Sequence, residues 1–111
     1  MTCDLLVSGG LVVGPGGVRP ADIAVTAGRI AALLPPGATV PAADVVDARG
    51  LHVLPGVIDT HVHTRHPGVP EREDFVSGTS AAAAGGITTI FEMPISKLPT
   101  NSGAAVTERA A

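Results

Sequence analysis

Aromatic residues are nearly absent from this sequence. It contains no Trp or Tyr, and Phe75 and Phe91 are the only aromatic residues among 111. Aromatic side chains bury the most area per residue, so a core without them depends on many small contributions. A chain this short also buries a smaller fraction of its surface than a larger domain does. The composition therefore favours either a marginal domain or part of a larger one.

Other scarcities exclude whole classes of protein. The single cysteine, Cys3, excludes an internal disulfide and fits a reducing compartment. A net charge of −3 with seven basic residues gives no electrostatic footprint for nucleic acid. No apolar run approaches the roughly 18 residues of a membrane span, and no signal-peptide pattern follows Met1. We therefore expect a cytoplasmic protein with neither nucleic-acid nor membrane partners.

Glycine and proline divide the first half of the chain, residues 1–54, into short strands. Gly9-Gly10 lies between two apolar segments, which predicts a two-residue hairpin. Ala27-Gly28 predicts a second turn. The unit is expected to be small and mostly antiparallel. Its predicted strands are residues 4–8, 11–13, 22–26, 29–34 and 45–48.

The pattern changes at Pro55-Gly56 to that of a β/α unit. A strand, a helix, a second strand and a second helix follow, an order that requires parallel strands. Two parallel strands do not make a fold, and the sequence stops within the last helix. Residues 55–111 are therefore expected to be an incomplete α/β domain. The predicted elements are residues 57–63, 73–84, 87–93 and a helix from Ser102 onward.

The first of these strands carries the residues with the clearest chemistry. Side chains alternate along a strand, so Asp59, His61 and His63 are predicted to share one face near its carboxyl end. Sites in α/β folds assemble at that end. Two imidazoles two residues apart suit a metal ion, but imidazole does not name the metal. A bare His-x-His is also common on solvated faces, so the spacing alone leaves both interpretations open.

Longer motifs extend this pattern. Residues 55–68 (PGVIDTHVHTRHPG) resemble the signature of the amidohydrolase superfamily: a Pro-Gly turn, an Asp, then His-x-His. Residues 73–94 (EDFVSGTSAAAAGGITTIFEMP) resemble its cyclic-amidase branch of allantoinases, hydantoinases or dihydropyrimidinases, and dihydroorotases. Residues 22–33 (DIAVTAGRIAAL) are similar to strands that precede the barrel in these enzymes. The resemblance covers nearly all of this chain but only the first part of such a protein.

The resemblance implies an α/β fold with two parts. Residues 1–54 would be strands of a small β-sandwich domain. Residues 55–111 would begin a metal-dependent (β/α)8 TIM barrel, with strand one, helix one, strand two and the start of helix two. A complete barrel takes about 250 residues, so it is incomplete in this chain.

The family's remaining catalytic groups do not map onto this sequence. They are a carboxylated lysine, two further histidines and a catalytic aspartate, and the open question is whether the chain continues beyond Ala111 with them. Lys97 lies in the loop after strand two, the wrong place for the lysine. We therefore expect no catalytic residue here and no activity from these residues alone. The full-length protein is expected to be a homo-oligomer.

The resemblance also assigns site residues. His61 and His63 would bind a divalent metal, most simply zinc, as one or two ions. Asp59 would support these ligands from beneath rather than touch the metal. Arg65 stands where dihydroorotases have an arginine that grips the substrate carboxylate, a task that suits its fork of donors. The alternative for Arg65 is a solvated loop residue.

The implied function is metal-dependent hydrolysis of carbon–nitrogen bonds, other than peptide bonds, in a small cyclic amide or ureide. Met93-Pro94-Ile95-Ser96 differs from the Met-Pro-Asn-Thr of dihydroorotases and resembles allantoinases, which convert allantoin to allantoate. Dihydroorotase, favoured by Arg65, and hydantoinase or dihydropyrimidinase are the alternatives. Two non-enzyme alternatives also remain: a non-catalytic dihydropyrimidinase-like assembly protein and a complete β-rich binding module.

Overall fold

The computed structural model describes residues 2–66, 69, 71–94 and 99–110. The chain divides into two compact units, Met1–Pro55 and Gly56–Ala111, each with its own sheet. Within the described residues, no helix is long and apolar enough to cross a membrane.

The first unit is a mixed five-stranded sheet. In chain order its strands are β1 (Cys3–Gly14), β2 (Gly17–Thr26), β3 (Arg29–Leu34), β4 (Ala42–Asp47) and β5 (His52–Val53). Antiparallel pairing joins β1 to β2 and β2 to β3, whereas β4 and β5 both pair in parallel with β1. The long first strand is therefore the centre of the sheet, and the unit is less uniformly antiparallel than the sequence predicts.

The turn between β2 and β3 confirms the prediction at Ala27-Gly28. Both residues have positive φ, 51° and 70°, as a two-residue turn that follows the strand twist requires. Positive φ is uncommon for alanine. The Asp4 carboxylate accepts a 2.6 Å hydrogen bond from the Ala27 N–H and so holds the turn in place.

The hairpin predicted at Gly9-Gly10 is wrong. The strand β1 runs straight through these glycines, with a register shift between Val7 and Gly10 and a φ of 78° at Gly9. This is a β-bulge rather than a reversal. Asp22, which is fully buried, explains it: its carboxylate accepts the Gly9 N–H at 2.7 Å and the Ala38 N–H at 3.0 Å.

The core of this unit is built from small and aliphatic side chains, as the shortage of aromatic residues predicts. Three buried residues form its centre, and four partly buried ones pack against them. The central residues are Cys3, Leu6 and Ala24, and the surrounding ones are Ala32, Leu34, Val40 and Ala42.

The second unit alternates strand and helix. Its elements are β6 (Val57–Val62), α1 (Phe75–Ala84), β7 (Ile87–Glu92) and α2 (Gly103–Ala110). The strands β6 and β7 pair in parallel, which confirms the predicted β/α unit, with element bounds shifted by one or two residues.

Polar caps set where the helices begin. Asp74 caps α1 by accepting the Ser77 N–H at 2.7 Å, and the Ser77 hydroxyl accepts the Asp74 N–H at 3.0 Å, which completes a capping box. For α2, the Ser102 hydroxyl accepts the Ala105 N–H at 3.2 Å. This contact lies at Ser102, the residue from which the sequence predicts the helix to begin.

A close approach explains the glycine just before β6. A Cβ atom added to Gly56 would lie 2.2 Å from the Thr88 hydroxyl oxygen and 2.4 Å from its methyl carbon. The register of the two strands also shifts next to this contact, between Val57 and Ile58. The Thr88 side chain therefore occupies the space that any larger residue at position 56 would need.

Candidate metal centre

The strand that carries the two histidines is interrupted by a bulge. Its pairing with β7 shifts by one residue between Asp59, which lies opposite Ile90, and Val62, which lies opposite Glu92. Ile90 and Glu92 are two residues apart and share a face. Asp59 and Val62 therefore lie on that same face, although they are three residues apart.

The face that carries Asp59 is the one covered by α1. A cavity of about 250 Å³ separates the helix from the strands, and Asp59, Val62 and Thr64 all line it, together with Ala81 and Ala82 of α1. The prediction that Asp59 shares a face with both histidines is therefore wrong. Strict alternation does not extend across the bulge.

The two imidazole rings do come together. Their centroids are 5.1 Å apart and their planes are nearly perpendicular, at 88°. His61 is exposed within β6, and His63 is half-buried one residue beyond its end. The rings are therefore close enough to present nitrogens to a common ion.

A backbone contact fixes which nitrogen His63 can offer. Its Nδ1 lies 2.6 Å from the carbonyl oxygen of Met93. A carbonyl only accepts, so Nδ1 carries the proton, and Nε2 of the neutral ring keeps its lone pair. Metal-binding histidines typically have this arrangement, with one nitrogen donating to the protein and the other free for the metal.

The Asp59 carboxylate acts on the backbone of the first histidine. Its Oδ1 accepts the His61 N–H at 3.0 Å. This contact spans the bulge and restrains the chain from which the His61 ring projects. Asp59 is half-buried, and within the described residues its carboxylate bonds to the His61 backbone rather than to either imidazole ring.

Sequence reasoning missed three polar residues near the carboxyl ends of β6 and β7. Thr64 is buried, and its hydroxyl lies 3.5 Å from Glu92, whose carboxylate also receives the guanidinium of Arg109. They come from a loop, a strand end and a helix that are far apart in sequence, so no local motif could have indicated them.

The loop after β6 contains Arg65, which the sequence assigned to substrate. Arg65 has a φ of 61° and is half-buried, and its side chain forms no hydrogen bond with any other described residue. His66 packs against Phe75 with ring centroids 5.1 Å apart, and its buried Nδ1 has no hydrogen-bond partner within the part of the chain that the structure describes. Ile95 and Ser96, which distinguish the allantoinase motif from that of dihydroorotases, lie outside the described residues, as does Lys97.

The donor set fits a divalent metal only in part. Two neutral imidazoles suit zinc, but a catalytic zinc site usually has three protein ligands and one open position. Among residues 2–66, 69, 71–94 and 99–110, no group of three or more His, Cys, Asp or Glu is arranged to hold a metal ion. The described residues therefore supply a pair of ligands rather than a complete site.

Comparisons with known proteins agree on one family. The family model described as dihydro-orotase-like matches residues 50–104. The chain is 48% identical over 99 residues to an allantoinase from Deinococcus radiodurans, an alignment that covers 89% of this chain and 22% of that protein. The chain thus spans about a fifth of the length of the curated relatives it matches.

Two solved structures of hydrolases also resemble this chain. The L-hydantoinase (dihydropyrimidinase) from Arthrobacter aurescens matches with a TM-score of 0.86 and 39% identity, over 96% of this chain and 24% of that one. An N-acyl-D-glutamate deacylase from Bordetella bronchiseptica, complexed with zinc and a phosphonate inhibitor, matches with a TM-score of 0.61 and 39% identity. That match covers 81% of this chain and 18% of the deacylase.

Proposed function

We infer the function from the family: this chain belongs to the cyclic amidohydrolases, whose N-terminal portion it matches. We propose that the whole protein is a metal-dependent hydrolase of carbon–nitrogen bonds, other than peptide bonds, in cyclic amides. Its proposed reaction is that of an allantoinase, which opens the ring of allantoin to give allantoate. The observation that carries this proposal is 48% identity to an allantoinase over 89% of the chain.

We propose that the second unit is the beginning of a (β/α)8 barrel, with β6 and β7 as its first two strands. The parallel pairing of β6 and β7 around α1 supports this. The first unit would contribute strands to a small β-sandwich domain. His61 and His63 would then lie at the carboxyl end of the first barrel strand, the end at which barrel sites are built.

His61 and His63 are proposed as two ligands of a divalent metal, with zinc as the first candidate. The contact of His63 Nδ1 with the Met93 carbonyl, which leaves the lone pair on Nε2, supports this, as does the zinc in the Bordetella deacylase complex. When bound, the metal supplies Lewis-acid activation of water and polarisation of the amide carbonyl. Whether one ion or two are bound depends on ligands other than these.

The chain's own residues position the two ligands and bind substrate. The Met93 carbonyl sets the orientation of the His63 ring, and the Asp59 carboxylate holds the backbone of His61. Asp59 would therefore support the ligands without touching the metal. Arg65, two residues after His63, has a guanidinium that can donate to the carbonyl oxygens of a small cyclic ureide.

A dihydroorotase is the second candidate function. The matching family model is described as dihydro-orotase-like, and an arginine at position 65 would pair with the carboxylate of dihydroorotate. The relatives named above are enzymes, so the alternative of a non-catalytic assembly protein has no support. A cytoplasmic location and a homo-oligomeric state remain predictions.

The metal proposal is tested by replacing the ligands in the whole protein that carries this sequence. His61→Ala combined with His63→Ala should remove about one equivalent of zinc per chain and nearly all hydrolysis of allantoin, because an open catalytic site has few ligands to lose. Elemental analysis and an allantoin assay measure the two effects. His52→Ala, an exposed histidine on β5, is the matched control and should change neither. An unchanged zinc content in the double variant would show that His61 and His63 are not metal ligands.

A further inference from the structure

A largely buried ion pair connects α2 to the end of β7. The Arg109 guanidinium contacts the Glu92 carboxylate through two parallel bonds, Nε to Oε2 at 3.1 Å and Nη2 to Oε1. The two side chains are only 10% and 16% exposed. The pair between Arg49 and Asp47 has similar geometry, but its side chains are 81% and 57% exposed. If Arg109 were removed, the Glu92 carboxylate would therefore remain largely shielded from water, whereas Asp47 without Arg49 would be solvated.

The carboxylate in this pair is next in sequence to the group that orients a proposed metal ligand. Met93 follows Glu92; its N–H donates to the Val62 carbonyl at 2.7 Å, and its carbonyl accepts from His63 Nδ1 at 2.6 Å. Thr64, which is 1% exposed, adds a weak contact to Glu92 at 3.5 Å. His63 and Thr64, which follow β6, thus contact Met93 and Glu92 at the end of β7.

We propose that Arg109 is a positioning residue for the metal centre, because its bidentate contact with Glu92 fixes the chain segment from which the Met93 carbonyl orients the His63 ring. The inference rests on the proposed function only in taking His63 as a metal ligand. Without Arg109, the Glu92 carboxylate is left in a largely buried place, and no other cation among the described residues pairs with it. It then has to take up a proton or turn towards water, since an uncompensated buried charge is strongly unfavourable.

Either response moves the segment that contains Met93. The hydrogen bond to His63 Nδ1 then weakens, and the ring is free to change tautomer and rotate. A loosened ring presents Nε2 to the ion less often. Loss of such an outer contact typically lowers metal affinity about 10- to 100-fold.

The first test reads the ring itself and needs no metal. In the whole protein that carries this sequence, prepared without metal and with ¹⁵N-labelled histidine, the nitrogen shifts of neutral His63 report which nitrogen carries the proton. We expect the Nδ1–H form to predominate in the wild type and a mixture of tautomers in Arg109→Ala. Arg49→Ala is the matched control, because it removes an arginine–carboxylate pair in the first unit, and it should leave the His63 signal unchanged.

A second measurement reads the same variants through the metal. Zinc titration of the metal-free whole protein should show about tenfold weaker binding in Arg109→Ala, with an intermediate loss in Arg109→Lys, which keeps the charge but not the fork. If Arg109→Ala does not fold, Arg109→Lys alone decides, through the same two readouts. A folded variant whose His63 tautomer matches the wild type would overturn the proposal and leave Arg109 a purely structural residue. If the substitution changes the His63 tautomer but the wild-type whole protein binds no zinc, the result instead counts against the metal proposal for His61 and His63.

Discussion

The two histidines are set apart by their surroundings rather than by their spacing. Residue types and a two-residue interval identified His61 and His63 as a pair, because those features are local. The tautomer of His63 depends on the Met93 carbonyl, 30 residues further along the chain, and no local pattern reports it. Asp59 was predicted on the same face as the two histidines but lies on the other face, since the bulge arises from pairing with β7.

Arg65 gives the sharpest test of substrate at this scale. In the whole protein, Arg65→Ala should lower kcat/KM for allantoin only mildly, because allantoin has no ring carboxylate for the guanidinium to pair with. For dihydroorotate the same change would leave a charge unpaired, at a cost of about 1.5–3 kcal/mol, or roughly ten- to hundredfold in kcat/KM. Steady-state kinetics on both substrates measure the difference.

The exposed Arg72 in the same loop region supplies the control, since Arg72→Ala removes an equal charge. It should alter neither substrate's kcat/KM appreciably. A wild type that ignores allantoin, turns over dihydroorotate and loses that activity in Arg65→Ala would establish the dihydroorotase alternative.

At the scale of elements, the sequence predicts what each segment becomes better than what it pairs with. The Ala27-Gly28 turn and the order of strands and helices after Pro55 follow from local propensity, and the structure confirms both. Gly9-Gly10 has the composition of a turn but forms a bulge. The deciding partner is Asp22, 13 residues away, whose carboxylate takes the Gly9 N–H within the sheet.

The start of α1 should respond to acid. Hydrogen bonds from the Ser77 N–H and hydroxyl hold the pKa of Asp74 below its ordinary value. Because the pKa of Asp74 is lower in the folded chain, the ionised cap stabilises the helix fully at pH values above the ordinary pKa of Asp. This stabilisation is lost as the pH falls through the lowered pKa. We therefore expect the Ser77 amide signal to titrate below pH 3.8 and the first turn of α1 to fray in the same range.

Amide NMR across an acid titration measures this response directly. In Asp74→Ala the first turn should already be frayed at neutral pH, and its remaining acid response should vanish. Glu71→Ala, a carboxylate removed just before the helix, should keep the wild-type titration. A Ser77 amide that titrates unchanged in Asp74→Ala would assign the response to a different group.

For the molecule as a whole, the donor set limits what these residues achieve alone. The described residues bring together two imidazoles and no third metal ligand, and they include no assigned acid or base. We expect the purified 111-residue chain, supplied with zinc, to show no measurable hydrolysis of allantoin, hydantoin or dihydroorotate. The whole protein, assayed beside it, is the positive control. Turnover by the chain at a rate comparable to the whole protein would mean that two histidines suffice.

The contact between Gly56 and Thr88 has a consequence for how such sequences diverge. A Cβ atom on residue 56 and the Thr88 side chain would compete for the same space, because a Cβ on Gly56 would lie 2.2 Å from the Thr88 hydroxyl. Substitutions at the two sites are therefore not independent. A descendant that acquires a larger residue at position 56 keeps its fold only if position 88 has already become smaller. The two sites, 32 residues apart, are expected to vary as a pair, and the order in which they change is constrained.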